Sequence, residues 1–243
     1  MPRTLFVVQE KGGVGKSLLA RGLAEALPTA PVIEVDSTQR LLELEDRVRF
    51  FPMRAERVDI EKTGGRAARA EFDAVITAIA DATNPTIVDV GANTSRALLS
   101  VLVDLKDDLK DAGVEPGVLV VITSEPGALA EAPRLLFLAA DLDAERFVVE
   151  NRVRGPVDEA TMKQLGKGAV VTSLDEHVME DAAVAIVQDG GLAIVPRLDP
   201  TKLRAEHGMG LGSRVRRDLE RLRLDTMTAV RPAAAWLAGE GDG

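Results

Sequence analysis

The chain has 243 residues, and 39 acidic side chains against 30 basic ones give it a formal charge of −9. That length suffices for one large domain with a full core, and 46% hydrophobic with 28% charged residues argues against a disordered chain, a collagen or a coiled-coil rod. Cysteine is absent, which excludes disulfides, thiolate metal sites and cysteine nucleophiles. Since His177 and His207 are the only histidines, metal chemistry would depend on oxygen ligands, which suit magnesium.

Short runs rich in Val and Ile alternate with stretches of helical period along the chain. This alternation is typical of a parallel sheet covered by helices on both faces, so we expect a single α/β domain, of the three-layer α/β/α type with a mostly parallel sheet, over residues 1–243. The tail from about residue 238 is expected to fray. The predicted strands cover residues 4–9, 31–35, 86–90, 117–123, 146–150, 169–172 and 192–195, and the clearest helices cover residues 16–27 and 175–189.

Residues 41–70 are left open, because arginines interrupt an apolar pattern that fits either a strand or a helix. No apolar run approaches the roughly 18 residues of a membrane helix, and the first residues lack the features of a signal peptide. We therefore expect a cytoplasmic protein. Membrane attachment is not expected either, because residues 225–237 lack a lysine-rich amphipathic pattern.

The strongest motif lies between the first predicted strand and the first predicted helix, and it reads Lys11-Gly12-Gly13-Val14-Gly15-Lys16-Ser17. Glycines let the backbone N–H groups turn toward phosphates, and the following helix adds its positive end. Lys16 would contact the β and γ phosphates, and the Ser17 hydroxyl would ligate Mg²⁺. Nucleotide contacts are expected from Gly12, Gly13, Val14, Gly15, Lys16, Ser17 and Leu18. The sequence thus predicts a P-loop NTPase fold.

Glu10 occupies the place of the first glycine in the strict G-x-x-x-x-G-K-[ST] pattern. The variant K-G-G-x-G-K-[ST], headed by Lys11, is the deviant Walker A signature, and here the chain resembles the ParA/MinD family of partitioning and positioning ATPases. The resemblance implies an ATP-dependent homodimer in which Lys11 reaches the nucleotide of the partner, with slow hydrolysis until a protein activator binds. The family usually continues with Thr-Thr, whereas this chain has Ser17-Leu18, which keeps one hydroxyl.

A carboxylate ends the second predicted strand, where a parallel sheet binds its ligands. By resemblance to the family pattern D-x-D-P-Q, Asp36 positions the attacking water. The chain departs from that pattern, because Glu34 replaces the first aspartate and Ser37-Thr38 replaces the proline. The alternative is that Asp36 caps the next helix.

The strand at 86–90 resembles a Walker B strand. Asp89 would hold magnesium through water, since Mg²⁺ sheds its hydration reluctantly. Gly91 follows and gives the backbone freedom to move toward a γ phosphate, although the family more often has D-T-P-P here.

The resemblance continues in the second half of the chain. Ser124-Glu125-Pro126 matches a turn of the family, and Asn151-Arg152 follows the fifth strand, where relatives use an asparagine to read adenine. An amide offers a donor and an acceptor together, although such an asparagine is equally often a turn residue. Pro196 lies in a segment similar to the I-P-x-D segment that packs on the base.

Arg214, Arg217 and Arg221 are spaced at i, i+3 and i+7 and form one basic helix face. This face is either solvated or contacts DNA phosphates without reading sequence, as in relatives that bind the nucleoid. His177, placed in the helix 175–189, and His207, placed in a glycine-flanked loop, are interpreted as surface or packing residues, and Trp236 as a packing anchor.

The resemblance favours an ATP-dependent dimerisation switch that hydrolyses ATP slowly and partitions DNA or positions a macromolecular cargo, in a plasmid-partitioning or conjugation-associated subgroup. Two alternatives stay open. One is a metabolic ATP-using, carboxylate-activating enzyme similar to dethiobiotin synthetase, and the other is a module that binds ATP without turnover.

Overall fold

In the computed structural model of the chain, the described residues are 2–53 and 66–240. Within them, a sheet of seven strands has the order β3-β2-β4-β1-β5-β6-β7, and every neighbouring pair is parallel. The strands are β1 (Arg3–Val8), β2 (Val32–Asp36), β3 (Val48–Pro52), β4 (Thr86–Val90), β5 (Glu115–Ile122), β6 (Glu145–Asn151) and β7 (Val170–Leu174).

Helices connect the strands and cover both faces of the sheet. They are α1 (Lys16–Ala26), α2 (Arg66–Ala80), α3 (Ser95–Asp104), α4 (Lys106–Asp111), α5 (Pro126–Asp141), α6 (Glu159–Leu165), α7 (Asp181–Gly190) and α8 (Pro200–Leu237), the last of which is kinked at Gly208. Two 3₁₀ turns, Leu42–Arg47 and Val195–Arg197, complete the regular structure described.

The five inner strands bury side chains on both faces, which explains their apolar runs, whereas the edge strands β3 and β7 are mostly exposed or half-buried. Along β1, Leu5 and Val7 enter one core with α1 and the C-terminal half of α8, whereas Phe6 and Val8 enter the other core with α2, α3 and α5. The predicted three-layer α/β/α fold with a parallel sheet is therefore confirmed.

The predicted strands from 4–9 to 169–172 each overlap an observed strand, but residues 192–195 are not a strand. They form a turn into the 3₁₀ turn Val195–Arg197. Val195 packs in a small third core with Leu203 and Val215 of α8, so this apolar run packs against a helix instead of extending the sheet.

The helix predicted over residues 175–189 begins at Asp181, and Val178, which was predicted on its apolar stripe, is 89% exposed. The region 41–70, which the sequence left open, contains the edge strand β3. Proline has no N–H to donate to a neighbouring strand, and Pro52 is tolerated at the end of β3 because an edge strand has a neighbour on one side only. Residues 54–65 lie outside the described residues. Residues 238–240 form a turn after α8, and residues 241–243 of the expected frayed tail also lie outside.

Among the described residues, no helix is both long and apolar enough to span a membrane.

Candidate functional site

A cleft of about 420 Å³ lies at the carboxyl ends of β1, β2 and β4. It combines glycine backbone, two carboxylates and three cationic side chains. It is lined by Gly12, Gly13, Gly15, Lys16, Ser17, Leu18, Arg21, Asp36, Arg40, Asp89, Val90, Gly91, Ala92 and Gln188. Most of the residues that the sequence predicts for phosphate and magnesium contacts thus meet in one place.

The loop between β1 and α1 depends on glycine at two positions. Gly13 has a φ of +76° and Gly15 a φ of +95°, a region that other residues rarely adopt. A Cβ atom on Gly15 would also lie 2.5 Å from Nδ2 of Asn151. The loop therefore keeps its shape only with glycine at these places.

Lys16 is the first residue of α1, and its Nζ donates to the carbonyl oxygen of Lys11 at 3.2 Å. The side chain is buried, and this burial lowers the pKa of Lys16, while the charges of Asp89 and Asp36 oppose that effect. A buried ammonium group between carboxylates and glycine N–H groups is suited to bind a phosphate.

Asp89 is buried near the end of β4, directly below this loop. Burial raises the pKa of Asp89, and a hydrogen bond from the Ser17 hydroxyl and the charge of Lys16 counteract it. Its Oδ1 atom has no hydrogen-bond partner among the described residues. A buried carboxylate oxygen of this kind beside a hydroxyl group could hold a hydrated cation.

Asp36 ends β2 on the other side of the cleft. Its Oδ1 accepts hydrogen bonds from N (2.6 Å) and Oγ (3.2 Å) of Ser37, and its Oδ2 accepts one from Nε of Arg40 at 3.0 Å. Since these partners lie in a loop, Asp36 does not cap a helix. A Cβ atom on Gly91 would lie 2.6 Å from Cγ of Asp36, so glycine provides the space for this carboxylate.

Glu34 is fully buried two residues earlier on β2. Its carboxylate accepts hydrogen bonds from the backbone N–H groups of Arg40 (2.6 Å) and Leu41 (3.4 Å). Burial raises the pKa of Glu34, and these two hydrogen bonds counteract it. The departure from the family pattern therefore has a structural role, because Glu34 anchors the loop 37–41 that borders the cleft.

Two residues ahead of the motif support the loop, and the sequence analysis assigned them no role. Gln9 is completely buried; its Nε2 donates to the carbonyl of Val121 at 2.8 Å, and its Oε1 accepts from N of Glu10 at 2.9 Å. Glu10 accepts a hydrogen bond from N of Arg96, in the first turn of α3, at 2.6 Å. The one sequence signal that could have indicated these contacts was Glu10, which replaces the first glycine of the strict pattern.

Lys11 extends toward the start of α5. Its Nζ lies 3.8 Å from Oε2 of Glu125, whose Oε1 lies 2.9 Å from Nε of Arg154. Half of the Lys11 side chain is exposed, so the group is accessible from outside the chain.

The three residues predicted near the base are not among the residues that line the described cleft. Asn151 is buried, and its Nδ2 donates to the carbonyl of Val14 at 2.9 Å, so its amide supports the glycine-rich loop between β1 and α1. Arg152 is paired with Glu150 and Asp175, each at 2.9 Å. Pro196 lies exposed in the second 3₁₀ turn.

The basic face lies on α8, at a distance along the chain from this cleft. Arg214 lies 2.5 Å from Glu180 and Arg221 lies 3.5 Å from Asp225, and a second cleft of about 490 Å³ is lined by Arg204, Arg214, Arg216 and Arg217 among others.

The local structure predicted for each histidine, a helix for His177 and a loop for His207, is wrong. His207 lies in α8, one residue before the kink at Gly208, and His177 lies in the loop before α7. Burial lowers the pKa of His177, whose Nε2 lies 3.3 Å from Oδ2 of Asp225. Trp236 packs on β5 and β6, with its ring centroid 5.8 Å from that of Phe147, as a packing anchor would.

Fold and cleft together define a three-layer α/β/α protein with a glycine-rich loop between β1 and α1, and with Asp36 of β2 and Asp89 of β4 lining the cleft. Solved structures with a similar fold include the MinD cell division protein of Aquifex aeolicus, which is 16% identical over 91% of this chain and 96% of that chain, with a TM-score of 0.49.

Apo McdA of Cyanothece is 13% identical over 95% of this chain and 100% of that chain, with a TM-score of 0.48. A putative plasmid partition protein of Borrelia burgdorferi bound to AMPPNP is 14% identical over 92% of this chain and 99% of that chain, with a TM-score of 0.47. At such identities the likeness concerns the fold alone. No family model and no curated protein matches the chain significantly.

Proposed function

We propose that the chain is an ATPase of the ParA/MinD type that dimerises when it binds ATP. The observation that carries this proposal is the buried Asp89, whose Oδ1 lacks a hydrogen-bond partner among the described residues, beside Ser17 and Lys16 at a glycine-rich loop. One cleft thus holds groups that could bind the phosphates of a nucleotide together with groups that could bind its metal ion.

The residues present fit Mg·ATP. The N–H groups of Gly12, Gly13 and Gly15 and the ammonium group of Lys16 would bind the phosphates, while Ser17 and a water held by Asp89 would ligate magnesium. No cluster of three or more His, Asp or Glu residues suited to a metal occurs in the described part of the chain, so the remaining ligands would be phosphate oxygens and water. When bound, magnesium neutralises and orients the phosphate oxygens.

Asp36 has the position and chemistry to orient a water and accept its proton. Its carboxylate is 14% exposed at the cleft and is fixed on one side by Ser37. Lys11, half exposed at the end of the loop, would reach the nucleotide of a second copy, as the motif implies. Hydrolysis would remain slow in one copy, because these groups assemble fully only in the dimer.

The cargo is proposed to be DNA or another macromolecule positioned in the cytoplasm, with a protein activator that accelerates hydrolysis. Arg214, Arg217 and Arg221 would contact DNA phosphates without reading sequence. A second candidate is a module that binds ATP without turnover. One observation favours it: Asp36, the proposed catalytic carboxylate, is already paired with Arg40 and so is not free to accept a proton from water.

The test compares binding of a fluorescent ATP analogue with phosphate release in the wild type, Lys16→Ala and Asp36→Ala. We expect Lys16→Ala to lose nucleotide affinity, and Asp36→Ala to bind normally but release phosphate at least about tenfold more slowly. Unchanged phosphate release in Asp36→Ala would remove the catalytic assignment. Binding without phosphate release in the wild type, even at high protein concentration, would favour the second candidate.

A further inference from the structure

Arg40 borders the phosphate cleft, and neither the motif nor the proposed mechanism uses it. It lies four residues after Asp36, and its Nε donates to Oδ2 of that carboxylate at 3.0 Å. The side chain is 57% exposed and lines the cleft together with Lys16, Ser17 and Asp89. Its charge is near enough to Lys16 to contribute to lowering the pKa of that residue.

The backbone of Arg40 is held firmly, in contrast to its exposed head group. Its N–H donates to the buried carboxylate of Glu34 at 2.6 Å, and its carbonyl accepts from Nη2 of Arg21 at 2.8 Å. Arg21 is itself held by an ion pair with Glu43. The guanidinium group is therefore positioned at the cleft by a fixed backbone, while its own ion pair at the surface can be exchanged.

We propose that Arg40 binds the terminal phosphate of a nucleoside triphosphate from within the same chain, and that it exchanges Asp36 for this phosphate. The guanidinium end of this pair is exposed, and Asp36 keeps its hydrogen bonds from Ser37 when Arg40 leaves, so the exchange leaves neither group without a partner. A guanidinium group binds a phosphate through two parallel hydrogen bonds, and a terminal phosphate carries more charge than a carboxylate. Arg40 thereby distinguishes triphosphate from diphosphate.

The exchange also prepares Asp36 for its proposed role. Once Arg40 has turned to the phosphate, Oδ2 of Asp36 is available to accept the proton of the attacking water. The water oxygen bonds to the γ phosphorus, the bond to the bridging oxygen breaks, and that oxygen leaves with ADP. This inference rests on the proposed function, and it adds a residue that makes Asp36 available only when a third phosphate is bound.

The test measures equilibrium affinities for ADP and for a non-hydrolysable ATP analogue with a β,γ-imido bridge, both with magnesium, by titration calorimetry. In Arg40→Ala we expect the affinity for the analogue to fall about tenfold or more, as for loss of a charged hydrogen bond, and the affinity for ADP to stay within about twofold. Arg40→Lys should restore only part of the preference, because lysine lacks the paired donors.

Arg134→Ala is the matched control, because Arg134 is similarly exposed (61%) and pairs at 3.1 Å with a carboxylate three residues away, on α5. It should bind both ligands like the wild type. Arg40→Gln is the second variant in case Arg40→Ala does not fold. Equal losses for both nucleotides, or no loss for either, would overturn the role of Arg40 and leave the proposed function standing. A wild type that binds neither nucleotide would overturn both.

Discussion

The amide of Asn151 points at the loop between β1 and α1, where its Nδ2 donates to the carbonyl of Val14 at 2.9 Å. The resemblance to known ATPases assigned this residue to the adenine base. The two roles make different demands, because supporting the loop affects every nucleotide alike, whereas reading the base edge affects one base only.

We therefore predict that Asn151→Ala weakens ATP and GTP binding by a similar factor, about fivefold for one lost hydrogen bond near 1 kcal/mol. Asn151→Asp should behave alike, because a carboxylate cannot donate to the Val14 carbonyl. The measurement is a pair of affinities for fluorescent ATP and GTP analogues. If Asn151→Ala weakened the binding of one analogue only, so that the ratio of the two affinities changed, Asn151 would instead contact the base.

Burial of Glu34 leads to a prediction about pH. Because the pKa of the folded state is raised above the ordinary value, the folded protein binds a proton more tightly than the unfolded chain does. The free energy of unfolding should therefore fall as pH rises from the ordinary pKa of a glutamate through the raised one. Glu34→Gln removes this pH dependence, because glutamine does not titrate. The difference in unfolding free energy between Glu34→Gln and the wild type should move in favour of the variant across that window and then level off.

Urea unfolding over a pH series measures this difference directly. A difference that is constant through the window would show that the hydrogen bonds from Arg40 and Leu41 fully compensate the burial of the Glu34 carboxylate.

At the scale of elements, α1 and the C-terminal half of α8 approach closely on one face of the sheet. A Cβ atom on Gly22 would lie 2.8 Å from Cγ2 of Thr226 and 3.4 Å from Cγ2 of Val230. This close approach lets Leu19 and Leu23 of α1 pack in the same core as Ala229 and Val230 of α8.

Gly22→Ala should consequently destabilise the fold by about 1–3 kcal/mol, because the two helices must move apart. Gly210→Ala is the matched control: this helical glycine has only the end of the Arg214 side chain nearby, at 3.7 Å, so alanine should be neutral or stabilise by up to about 1 kcal/mol. Thermal and urea unfolding check both. Equal effects in the two variants would mean that the α1–α8 contact adapts without strain.

The elements that the sequence predicts well are those whose pattern is local. Apolar runs buried on two faces, as in β1 and β4, are recognisable as strands from the sequence alone. A glycine-rich turn followed by Lys16 and Ser17 likewise predicts the loop between β1 and α1. Residues 192–195 have the composition of a strand, yet Val195 packs on α8, a contact that no local pattern contains. The edge strand β3 is left undecided between strand and helix by the sequence, because arginines such as Arg49 interrupt its apolar pattern.

The same distinction holds within the site. Lys16, Ser17, Asp36 and Asp89 were predicted because their spacing forms known motifs. Gln9 and Glu34 act through the backbone of Val121 and of Leu41, and such partners become visible only when the chain folds. Arg40 belongs to this second group, because its meeting with the cleft depends on the anchored loop.

At the scale of the whole molecule, the proposed mechanism requires two copies of the chain. Lys11 lies half exposed at the edge of the cleft, paired at 3.8 Å with Glu125 of its own chain, an interaction weak enough to be given up for a phosphate of a second copy. Dimerisation would thereby depend on nucleotide, and hydrolysis at Asp36 would reverse it.

The most direct measurement is the solution mass by light scattering, without nucleotide, with Mg·ADP and with Mg·ATP, for the wild type and Asp36→Ala. We expect a dimer that appears only with Mg·ATP and persists in Asp36→Ala, because that variant would bind ATP without hydrolysing it. A mass that stays that of a monomer while ATP saturates the cleft would contradict the dimerisation switch.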